Sequence, residues 1–108
     1  MLLSTDLWVS ALIRRAEIGG AFATVVRKGD ARAGTVLVKV VDRRAGVARI
    51  YAEAFRGDGE RVWMQPVNST EEAELDGYVE RQFRIDPDLW VVEIDDREGR
   101  HFLTEAVA

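Results

Sequence analysis

The chain is 108 residues long, 47% apolar and 31% charged, the size and mixture of one globular domain with no room for a second. It has no cysteine, which excludes disulfides, thiol chemistry and cysteine metal sites and suits a reducing cytoplasm. The net charge of −4 argues against nucleic acid as the main partner. With no leader peptide and no apolar run near the roughly 18 residues that span a membrane, an unexported, soluble, cytoplasmic protein is expected.

Thr5 or Ser4 is placed to cap a first helix running from Asp6 to about Ile18, with Gly19-Gly20 as its left-handed stop. Its polar strip, Ser10, Arg14 and Glu17, is narrow, so the helix has more than one apolar side. Trp8, Leu12 and Ala16 form one stripe; Val9, Ile13 and Ala16 form the adjacent one. If the sheet covers only one stripe, the other is an apolar patch that a second copy would hide. A homodimer through Trp8, Val9, Leu12 and Ile13 is therefore expected. The competing arrangement is that Phe102–Val107 folds over the second stripe within the same chain.

Four strands follow. Ala21–Val26 is short and leads into the loop Lys28–Gly34. Thr35–Val41 is almost continuously apolar, broken by Lys39, and reads as a central strand. After the Asp42–Gly46 hairpin, Val47–Phe55 alternates, with Ala48, Ile50, Ala52 and Ala54 on one face. Arg61–Val67 ends at or near Pro66. Ser69 and Glu72 have capping-box spacing before a second helix striped by Leu75, Tyr78, Val79, Gln82 and Phe83. Pro87 ends that helix, Leu89–Ile94 is the last strand, and His101–Val107 is a terminal strand or helical turn. The fold class is α+β in the order α-β-β-β-β-α-β: a largely antiparallel sheet of four to five strands with two helices gathered on one face, in one domain over residues 1–108.

The charges are unevenly spread. Residues 1–54 carry nine Lys/Arg against five Asp/Glu, and residues 55–108 carry six against fourteen. Such asymmetry predicts attraction between the halves or one basic and one acidic surface; differently charged solvent faces are the plainer reading. Arg27, Lys28 and Arg32, with Arg14 on helix 1, form a candidate site for a small anionic ligand, since arginine forks and loop N–H groups suit phosphate or carboxylate. Against it, arginines belong at loop tips and helix C-termini in any case. Glu93 and Asp95 share a strand face and are candidate ligands for a hard cation, while Asp86 and Asp88 suit turn bonding around Pro87. A lone histidine, His101, and serines outside any nucleophile elbow give no triad. No phosphate-loop, dinucleotide or zinc motif is present, so no cofactor is expected.

Three segments, Leu7–Arg15, Arg27-Lys28-Gly29-Asp30 with Ala33-Gly34, and Asp86–Asp96 (DPDLWVVEIDD), resemble a small bacterial family defined only as a domain of unknown function. The resemblance covers nearly the whole length. It implies stand-alone cytoplasmic proteins of this size, and no activity, cofactor or catalytic residue. The residues favour a non-enzymatic binding or protein-interaction domain, homo-oligomeric through helix 1. The alternatives are a carboxylate-dependent metal-using hydrolase on Glu93 and Asp95, and a nucleic-acid-associated accessory protein resting on the basic first half.

Overall fold

The computed structural model describes residues 3–108. Its elements are α1 (Thr5–Ile18), β1 (Phe22–Arg27), β2 (Val36–Asp42), β3 (Val47–Phe55), β4 (Arg61–Met64), α2 (Glu72–Ile85) and β5 (Trp90–Asp95), in the expected order. Gly20, at φ +90°, provides the left-handed exit from α1. The expected side-chain caps are not made. The first N–H groups of α1, on Thr5 and Asp6, donate to the carbonyls of Arg32 and Ala31 at 3.2 and 3.0 Å. Ser69 lies too far ahead of α2 for a capping box, and its hydroxyl accepts the Glu71 N–H at 3.1 Å. Among the described residues, no helix is long and apolar enough to cross a membrane.

The strands form one sheet in the order β1-β5-β2-β3-β4. β2, β3 and β4 make the antiparallel meander that short hairpins dictate. β1 and β2 are consecutive in sequence but do not pair. β5 enters between them, antiparallel to β1 and parallel to β2. Six residues of β2 in a row are buried, and so are the four apolar residues of β5, Trp90, Val91, Val92 and Ile94. Strands buried on both sides must be central, with something packed on each side.

The helices accordingly lie on opposite faces of the sheet, not on one as expected. Trp8, Val9, Leu12 and Ala16 of α1 pack with Val36, Val38, Val40, Tyr51, Trp63, Trp90, Val92 and Ile94. Leu75 and Val79 of α2 pack with the alternate residues Leu37, Val41, Ala48, Ile50 and Val91. Small Ala48 and Ala52 on β3 let α2 approach on that side, as the alternation predicts. On the other side the Trp8 and Trp63 rings stack with centroids 5.3 Å apart.

The C-terminal segment is a strap. His101 Nδ1 accepts the Leu103 N–H at 2.9 Å, and Phe102 adopts φ 59°. Leu103 is buried in the α1-side core, with Phe102 and Ile13 packed against it. Further on, Trp63 N–H donates to Ala106 O at 2.9 Å and Ala108 N–H to Trp63 O at 2.7 Å, closing the β4 edge with a parallel bridge at Val107.

Because β5 separates β1 from β2, the loop joining them must pass the start of β5. Two of the sequence's most distinctive segments meet there. Trp90 Nε1 donates to Asp30 O at 2.7 Å, and Asp30 N–H donates to Asp88 O at 3.0 Å. Gly34 is buried so closely that a Cβ would lie 2.6 Å from Asp88 O and 2.7 Å from Trp90 Cδ1; a Cβ at Gly29 would collide with the same backbone. Gly34→Ala should therefore cost about 1–3 kcal/mol or more through overpacking against backbone that cannot yield. Urea unfolding measures this directly, and an unchanged midpoint would mean that the loop is free to move off β5.

Candidate functional site

α2 leaves part of its face of the sheet open. Its apolar stripe packs with β3, β2 and Val91 of β5, and the β1 side of the sheet emerges beside it. Residues opposite one another across a strand pair share a face. Phe22 and Thr24 of β1, paired with Asp95 and Glu93 of β5, therefore face the α2 side, and both are exposed. Between this side of the sheet and α2 opens a groove of about 680 Å³, lined by Val26, Arg27, Lys39, Arg43, Glu72, Asp76, Val79, Glu80, Val91 and Glu93.

Lys39 organises the floor. It is 5% exposed, on the α2 face of the central strand β2. Its ammonium donates to Glu72 Oε2 and Asp76 Oδ1, each at 2.7 Å, and lies 3.3 Å from Glu93 Oε1. Glu72 and Asp76 stand one helical turn apart, so one side of α2 presents both carboxylates to one cation. Burial pulls the Lys39 pKa down, but the bonds to Asp76 and Glu72 outweigh it and leave the pKa above its ordinary 10.5. The bond from Lys39 holds Glu72 below its ordinary 4.5.

Two arginines complete the lining. Arg43 Nε donates to Asp95 Oδ2 at 2.8 Å, and its Nη atoms lie 3.4 Å from Glu72 and 3.7 Å from Glu93. Arg27 stacks 3.8 Å over the Phe83 ring and pairs with Glu80 at 2.7 Å, bridging β1 to α2. Each of these cations already has its carboxylate. Five carboxylates face three cations, so the groove is net acidic.

The expected site residues are dispersed. Arg27 enters the groove, Lys28 and Arg32 are exposed on the loop, and Arg14 is exposed on α1 across the sheet. In the loop the N–H groups of Asp30, Arg32, Ala33 and Gly34 are taken by Asp88 O, the Asp30 carboxylate and Asp30 O. Glu93 and Asp95 do stand together on one face, turned to Lys39 and Arg43. Asp86 accepts the Asp88 N–H in the turn, and Asp96 is held by Arg100. Among the described residues, no three acidic or histidine side chains are arranged to hold a metal ion. Trp8, Val9 and Leu12 are buried within the chain and Ile13 is half-buried beside them, the strap lying over the second stripe. Sequence reasoning passed over Lys39, Glu72 and Asp76. Their signal was a single lysine inside an apolar strand, together with two acids one turn apart on the second helix.

The open end of the groove is the β1 edge. β4 has the strap along its outer side, whereas among the described residues β1 pairs only with β5. Phe22 is 74% exposed and Val26 53% exposed there, and the register slips by one residue between Val25 and Arg27.

The family described as Protein of unknown function (DUF1491) matches residues 3–104. A DUF1491 family protein from Caulobacter crescentus, seen in a crystal structure, is 76% identical, with a TM-score of 0.97 over 99% of this chain and 100% of that one. An NMR structure of a DUF1491 family protein from the same organism gives 76% identity and a TM-score of 0.94, over 100% and 98% of the two chains. The solution structure of a protein from A. tumefaciens is 35% identical, with a TM-score of 0.82 over 97% and 95%. No curated protein matches the chain.

Lys39→Met should destabilise the fold by about 1–3 kcal/mol at neutral pH, less than for a fully buried pair because the carboxylates keep partial access to water. Glu72 has a lowered folded pKa, so its contribution is present above 4.5 and is lost as pH falls through the folded value. The gap between wild type and variant should then close in acid. Denaturation curves at several pH values test this, and a gap that persists unchanged in strong acid would show that Lys39 acts by packing alone.

Proposed function

The chain belongs to the DUF1491 family, a family of unknown function, and from its geometry we propose a non-catalytic interaction domain that takes an extended segment of a partner along β1. The observation that carries this reading is the unequal treatment of the two sheet edges. The chain uses its own last residues to close β4 and, among the described residues, leaves the outer side of β1 without a partner strand. An open edge presents a row of N–H and C=O groups to any extended segment, and soluble proteins usually blunt such edges. β1 is blunted only by its bulge and Arg27, and it exposes Phe22 and Val26. Strand addition draws its affinity from main-chain hydrogen bonds and its selectivity from alternate side chains.

The groove supports a binding role over a hydrolytic one. Glu93 and Asp95, the pair suited to a hard cation, are turned to Lys39 and Arg43, so a metal ion would have to displace a cation already in place.

A neutral peptide of alternating serine and valine should shift the amide resonances of β1 and leave those of β4 unmoved. Shifts confined to other elements, or none at all with millimolar peptide, would overturn the assignment of β1 as the docking edge.

A further inference from the structure

We infer that the partner segment is basic, with lysine or arginine at alternate positions projecting over β1 into the groove. The inference rests on β1 being the docking edge and adds the chemistry of what docks there.

A strand added to β1 would lie about 4.8 Å from it and roughly twice that from β5. On the α2 side its alternate residues would look across Phe22 and Thr24 toward Asp95 and Glu93. Thr24 is small and exposed, so a long side chain can pass over it. The carboxylate beyond it is the most loosely held in the groove. Glu93 lies 3.3 Å from Lys39 and 3.7 Å from Arg43, whereas the other carboxylates of the groove have a cation at 2.7–2.8 Å. A lysine fits this path because its stem can lie on Thr24 and Val26 while the ammonium reaches the acids.

Charge complementarity also discriminates against a second copy of the chain. Two β1 strands paired antiparallel about a two-fold axis normal to the sheet would put both α2 faces on the same side. Two net-acidic grooves would then adjoin across the junction, an arrangement of like charges. An acidic segment meets the same obstacle, since Arg27, Lys39 and Arg43 are already engaged by carboxylates of the chain.

The test compares three hexapeptides, alternating valine with lysine, serine or glutamate, titrated into the full chain while amide shifts of β1 are followed. The lysine peptide should bind about tenfold more tightly than the serine peptide, the scale of two or three partly exposed ion pairs. That advantage should shrink at high salt and in Glu93→Gln. Thr24→Lys, which supplies a cation from the edge itself, should abolish it while leaving the thermal midpoint unchanged. Equal affinity for lysine and serine peptides would overturn the basic-partner inference and leave the edge assignment standing. Tighter binding of the glutamate peptide would overturn it as well. If no peptide moves β1, the edge assignment itself fails.

Discussion

The position of β5 is the constraint on which the rest depends. Two strands with apolar residues buried on both faces, β2 and β5, lie side by side at the middle of the sheet, with a helix packed on each face. That placement pushes β1 to the rim and forces the β1–β2 loop across the start of β5, where only glycine fits at positions 29 and 34. It also brings Glu93 level with Lys39 on the neighbouring strand. The fold, the loop and the groove thus share one cause.

The charge asymmetry of the chain is resolved in the same place. Arg27, Lys39 and Arg43 come from the basic first half; Glu72, Asp76, Glu80, Glu93 and Asp95 come from the acidic second half. A lysine at 5% exposure is costly to desolvate. Three carboxylates at its end offset that cost and fix α2 against β2. The surplus negative charge is left beside the edge strand β1, so that groove and edge form one surface.

Much of this was legible in residues alone. The alternation of β3 gave its boundaries and its alanine face, the apolar run of β2 marked a central strand, and the stripe on α2 was correct. What failed was local reasoning about non-local events. Strands consecutive in sequence with a short connection commonly pair, and nothing in β1 or β2 announces that a strand some sixty residues later will separate them. Yet a strand apolar on both faces already demanded two covering layers, so the placement of both helices on one face conflicted with the central reading of β2. Part of the apolar excess of α1 is covered within the chain: Leu103 joins the core of Trp8, Val9, Leu12 and Ala16, and Phe102 and Ile13 pack against it, while Leu7 and Ile18 stay exposed. Cap residues misled because the N-terminus of α1 is closed by the carbonyls of Ala31 and Arg32, contacts that no sequence window contains.

The most direct test of the account is amide hydrogen exchange across the two edge strands of the free chain. If β1 is an unpartnered edge, the β1 amides that do not bond to β5 should exchange at nearly solvent rates. The β4 amide of Trp63, held by Ala106 O, should be protected. Uniform protection along β1 in the free, monomeric chain would contradict the account, because the edge would then already be closed.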